Sequence, residues 1–152
     1  MSGDNSKEIP KFKADIKILL ETSQIVNDYT IFLRMEEGSN KAESLGEFLQ
    51  EENRLFLPVV NNNSKTFELM NAHNVIYIKD TQKTSAEAGK TVTLIFVNKT
   101  KLKVKISSNS LVDRLSDFIN TKNFFLEFIT EDGFNIYINK NKISTVLEKV
   151  SY

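Results

Sequence analysis

Between residues 98 and 108 the chain reads NKTKLKVKISS, with Lys99, Lys101, Lys103 and Lys105 at every second position and Leu102, Val104 and Ile106 between them. Side chains alternate between the two faces of a strand, so this spacing gathers the lysines on one face and the aliphatic residues on the other. A row of ammonium groups can neutralise phosphates, an attraction that ignores base sequence and weakens as salt rises. The same row can be a solvated strand face whose lysines discourage edge pairing. A second cluster, Lys140, Asn141 and Lys142, falls in a tight polar turn. Donors there can reach a phosphate and a base edge together, or the turn can serve only to join two strands. Of the aromatic residues, Phe124 heads a strand and is a candidate for base stacking, whereas most of Phe125, Phe128, Phe134 and Tyr137 are expected in the core.

Other chemistry finds little footing. His73 is the sole histidine, too isolated for a metal site or a catalytic triad. AGKT at 88–91 looks like the end of a phosphate-binding loop, but Thr84 stands where the earlier glycine belongs, and the segment runs into a strand and not a helix. The acid pairs Glu36–Glu37 and Glu51–Glu52 are adjacent in sequence, which does not aim both carboxylates at one point. No catalysis and no cofactor are expected.

Composition narrows the class further. With 152 residues, 40% apolar and 26% charged, the chain has the make-up of a folded protein. The formal net charge of zero hides an asymmetry: residues 1–80 carry 9 basic against 13 acidic side chains, a net of −4, and residues 81–152 carry 11 against 7, a net of +4. A polyanion should prefer the second half. There is no cysteine, so neither a disulfide framework nor a thiolate metal site can form. The opening MSGDNSKEIPKFK lacks the apolar core of a signal peptide, and no later run reaches the length needed to span a bilayer. A cytoplasmic protein with no membrane partner is expected.

The elements that must position these residues come twice. LGEFLQEENRLFLPVV (45–60) aligns without a gap on LSDFINTKNFFLEFIT (115–130), pairing Leu45 with Leu115, Phe48 with Phe118 and Asn53 with Asn123. A second block, MNAHNVIYI (70–78), aligns on INKNKISTV (138–146), which pairs Asn71 with Asn139 and His73 with Asn141. Two collinear matches make the chain a tandem repeat. Each unit opens with two alternating strands, IKILLE and YTIFLRM or VTLIFV and KLKVKIS. A helix follows, KAESLGEFLQEE or SLVDRLSDFINTK, with Leu45, Phe48 and Leu49 or Leu111, Leu115, Phe118 and Ile119 along one face. Ser110, with Asp113 three residues on, is the expected N-cap of the second. Three more strands close the unit, and EDGFN supplies a hairpin turn in which Gly133 takes a positive φ. Five short strands and a helix in about 60 to 65 residues are too little for a flat sheet to bury a core, so two small barrels are expected.

The second unit resembles the Sm-like superfamily. VTLIFVNKTKLKVKIS is similar to the strand–turn–strand Sm1 motif, and INKNKISTVLE to the Sm2 motif of the bacterial Hfq RNA chaperones, where a Tyr-Lys-His triplet precedes an Ile-Ser-Thr-Val strand. On that likeness Asn139, Lys140 and Asn141 take the triplet positions, and Ile143, Ser144, Thr145 and Val146 the strand; His73 holds the histidine position in the first unit. The resemblance implies a mainly β fold with short helices: a tandem of two small Sm-like β-barrels, each with a helix inserted between its second and third strands. The units would span 13–80 and 91–152, with a flexible tail at 1–12 and a linker at 81–90. It further implies a non-catalytic RNA chaperone whose partners are single-stranded regulatory RNA and mRNA, assembled as a homo-oligomeric ring. RNA-binding residues would be Asn71, His73, Lys99, Lys101, Lys103, Lys105, Phe124, Asn139, Lys140, Asn141 and Lys142. The alternative is a protein-docking module with no nucleic-acid ligand, which the zero net charge favours.

Overall fold

The computed structural model describes residues 11–23, 25–35, 43–50, 55–107, 119–120 and 122–149. Its first half runs β1 (Lys11–Leu20), β2 (Asn27–Arg34), the short helix α1 (Leu45–Leu49), β3 (Phe56–Asn61), β4 (Thr66–Asn71), a 3-10 turn (Ala72–Asn74) and β5 (Val75–Lys83). The second half repeats the series as β6 (Ala88–Phe96), β7 (Lys101–Ser107), β8 (Phe125–Thr130), β9 (Phe134–Asn139), a 3-10 turn (Lys140–Lys142) and β10 (Ile143–Leu147). The repeat extends to detail. Asn71 and Asn139 each cap their 3-10 turn by accepting from the N–H two residues on. A bulge interrupts the β1–β5 ladder beside Leu20 and the β10–β6 ladder beside Ile143, equivalent places in the two halves.

The expectation of two barrels is overturned. All ten strands lie in one antiparallel sheet of order β10-β6-β7-β8-β9-β5-β1-β2-β3-β4, and the sheet does not close. The reason lies in β5, which pairs with β1 of its own half and on its other side with β9 of the second half, through Tyr77↔Ile138, Ile78↔Tyr137 and Lys79↔Ile136. That pairing uses the strand edges that closure within each half would require. It leaves β4 and β10 as the two edges of the sheet.

The apolar pattern follows from this topology. One core gathers Ile16, Ile18, Ile31, Leu33, Phe48 and Val59 of the first half; the other gathers Val92, Leu94, Phe96, Val104 and Phe128 of the second. On β9, Tyr137 belongs to the first core while Ile136 and Ile138 belong to the second. Alternating residues of a strand face opposite ways, so the two cores cover opposite faces of the sheet and share its centre. Val75, Ile76 and Ile78 of β5 are accordingly all fully buried.

The expected dozen-residue first helix is only five residues long. Ser44 caps it, its side chain accepting from the Glu47 N–H at 3.0 Å. Most of the second expected helix, with Ser110, Leu111, Asp113, Leu115 and Phe118, lies outside the described residues, as do residues 1–10 of the expected tail 1–12, whereas Lys11 and Phe12 already belong to β1. Of the stretch 81–90, residues 81–83 complete β5 and 88–90 open β6. Gly133 takes φ 90, as EDGFN predicts. Among the described residues no helix is long and apolar enough to cross a membrane.

Candidate nucleic-acid interface

The lysine ladder stands as its spacing predicts. Val104 and Ile106 are buried on the inner face of β7, while Lys101 and Lys103 are exposed and Lys105 is half-buried. Cross-strand neighbours of the three lysines are Ile95, Thr93 and Thr91 on β6, with Ile129 of β8 on the far side of Lys105. None of these is acidic. No lysine of the ladder makes an ion pair or side-chain hydrogen bond with a described residue, so the row presents uncompensated positive charge.

Lys99 sits in the β6–β7 turn at φ 71, a left-handed conformation that costs a lysine about 1 to 2 kcal/mol. The turn is held by Lys99 N–H donating to the Phe96 carbonyl (2.8 Å) and Phe96 N–H donating to the Thr100 carbonyl (2.9 Å). Asn98 Oδ1 accepts from the Thr100 hydroxyl at 2.6 Å. Lys99→Gly should therefore raise stability by about 1 kcal/mol in chemical denaturation. Unchanged or lower stability would show that the strain is relieved in another way.

The second expected cluster is reorganised by the join between the halves. Asn139 is fully buried: its amide donates to the carbonyls of Ala72 (3.3 Å) and Val75 (3.0 Å), and its Oδ1 accepts from the Asn141 N–H at 3.0 Å. It clasps the first half to the second and has nothing left to offer a ligand. Lys142 is engaged too, its Nζ 2.7 Å from Glu21 Oε2, a partner from the first half. Asn141 is exposed, and Lys140 is half-buried with its N–H donating to the Phe124 carbonyl at 3.1 Å. Phe124 is half-buried and packs edge-on against His73 (5.2 Å between ring centres) and Phe125 (5.0 Å), an arrangement that holds its ring in the protein. Asn71 accepts from the His73 N–H at 2.9 Å. His73, Phe124 and Lys140 thus meet across the join, a contact that the repeat alone does not predict, whereas Asn139 and Lys142 hold structure.

A cleft that the sequence did not reveal lies between the turns. It has a volume of about 620 Å³ and is formed where the β1–β2 turn (Thr22, Ser23, Val26) faces the β6–β7 turn (Asn98, Thr100, Lys101). Tyr77, Phe96 and Leu102 line it as well, and so does Glu21, the partner of Lys142. Burial pushes the Tyr77 phenol above its ordinary range. Lys101 belongs both to this cleft and to the ladder. Aromatic and apolar side chains beside amide, hydroxyl and ammonium groups in one cleft suit a flat heteroaromatic ring that carries a phosphate.

Among the described residues no group of three His, Asp or Glu is gathered as a metal site would need. Comparison with known proteins yields no match: no family model, no curated relative and no solved structure aligns with the chain.

Proposed function

We propose that the chain binds single-stranded RNA without catalysis, seating a base in the cleft beside Tyr77 and laying the adjoining phosphates along Lys101, Lys103 and Lys105. The observation that carries this reading is the position of Lys101, which lines the cleft and begins the ladder. Single-stranded binders combine such an aromatic seat with a basic track. The likeness of INKNKISTVLE to the Sm2 motif supports RNA as the ligand and regulatory RNA or mRNA as its source.

Titration of a labelled single-stranded RNA across a salt series tests it. Affinity should fall as salt rises, and Lys101→Glu or Lys103→Glu should each weaken binding and lower the slope by about 0.7. Tyr77→Leu, which keeps an apolar side chain against the second core, should cost about 1 to 3 kcal/mol of binding at unchanged slope. Binding that is absent at low salt, or indifferent to all three substitutions, would sink the proposal. The docking reading rests on a different observation, the exposed Phe56, Phe67 and Leu69 beside the free edge of the sheet, and predicts no RNA binding.

A further inference from the structure

The join between the halves is a pairing of β9 with β5, and each of those strands has a repeat equivalent at a free edge: β4 for β9 and β10 for β5. We infer that β4 of one chain pairs with β10 of a second copy, in the register of the internal join. Carried across the repeat, Tyr77↔Ile138, Ile78↔Tyr137 and Lys79↔Ile136 become Thr145↔Met70, Val146↔Leu69 and Leu147↔Glu68.

Three observations support this contact over an edge left in water. First, Phe125 and Tyr137 project from the second half into the first core and are buried there, 4% exposed each. In strand register their counterparts are Phe56, which faces Asn71 as Phe125 faces Asn139, and Leu69; both are large and apolar, yet they are 49% and 63% exposed. The surface that the join covers in one half is built again in the other, with nothing among the described residues to cover it. Second, Asn139 donates to the carbonyls of Ala72 and Val75 across the join. Asn71, its equivalent, caps its own turn but meets no such pair of carbonyls among the described residues; Lys140 and Ile143 of a neighbour would present them. Third, β4 lies in the half of net charge −4 and β10 in the half of net charge +4, so the contact sets opposite charges together. Glu68 is the departure that matters: it stands where β9 has Ile136, and its Oε2 is buried without a hydrogen-bond partner. An inward charge weakens an edge contact, and this one sets its strength. Because two different edges meet, the association is head to tail and either closes on itself or continues as a filament.

Sedimentation at micromolar concentration should show species of two or more chains. Phe56→Lys and Leu69→Lys, both at exposed positions and so compatible with the fold, should weaken association by about tenfold or more. Glu68→Ile, which copies the internal join, should strengthen it. Register is tested by adding Leu69→Cys and Val146→Cys to this cysteine-free chain. Oxidation of the double variant should give a ladder of cross-linked chains, and a mixture of the two single variants should give a two-chain product. A wild-type protein that stays a single chain overturns the inference, as does assembly that survives both lysine substitutions. Cross-linking of the Leu69→Cys variant only with itself overturns it too, because the contact would then be symmetric.

Discussion

Replacing Asn139 by aspartate is expected to destabilise the protein by about 3 to 5 kcal/mol at neutral pH, with almost no change in side-chain volume. The amide donates to two carbonyls inside the fully buried join, and a carboxylate has no N–H to give them. Its charge would instead face two carbonyl oxygens with no water to screen it. The folded-state pKa of the new acid would therefore be raised above its unfolded value of about 3.9. The sign follows: a group that binds its proton more tightly when folded loses stability as pH rises through the unfolded pKa, so the defect should be smallest in acid and grow toward neutrality. Urea denaturation at both pH values measures it. Equal losses would mean that the side chain escapes to solvent. Asn71→Asp is the control, since its one bond, accepting from the His73 N–H, suits a carboxylate and its side chain is only half-buried.

Tyr137→Ala should cost about 3 to 5 kcal/mol, because a large ring is removed from a core that the rest of the chain cannot readily refill. The ring belongs to the second half by sequence and to the first by packing. Its neighbour is α1: a Cβ at Gly46 would stand 3.3 Å from Tyr137 Cε1, so the helix approaches the ring as closely as a glycine allows. The Tyr137 hydroxyl takes a hydrogen bond from the backbone of Gly46, satisfying one of the donors a helix start leaves open, and gives one to Glu127. Burial, with the nearby carboxylates of Glu127 and Asp80, pushes the phenol far above its ordinary range. Tyr137→Phe keeps the ring and loses only these bonds, so about 1 kcal/mol is expected. Comparable losses for both variants in thermal denaturation would place the stabilisation in the hydroxyl and not in packing.

These residues also show where reading the chain from its sequence succeeds and where it stops. Alternation of lysine with Leu102, Val104 and Ile106 gave the faces of β7 correctly, because a strand's geometry is local. The order of the strands came through for the same reason, and the two blocks around Leu45 and Leu115 disclosed the repeat. The closure that the repeat length predicts does not occur. VIYI at 75–78 and IYI at 136–138 are unbroken apolar runs, the mark of strands covered on both faces, and such strands belong in the middle of a larger sheet. The size of the repeat points to closed units, and these runs point against them. Asn139 gave no sign of its burial, since a polar residue ending a strand looks the same whether it caps a turn or meets a ligand. Lys142 looked available because its partner, Glu21, lies 121 residues away in sequence. Tyr77 carries no local signal for a similar reason: its cleft exists only where two turns from different halves come together.

The shared centre of the sheet bears on the order in which the chain can fold as it is made. Synthesis delivers β1 to β5 first, but the core they surround also needs Phe125 and Tyr137, which arrive many residues later. Until then β5 lacks one of its two neighbours, and its apolar outer face is bare. The second half carries no such debt, since apart from Ile76 the buried residues of its core come from its own strands. The portion translated first is thus the portion completed last, and a nascent chain halted after β5 offers an open strand edge to whatever meets it.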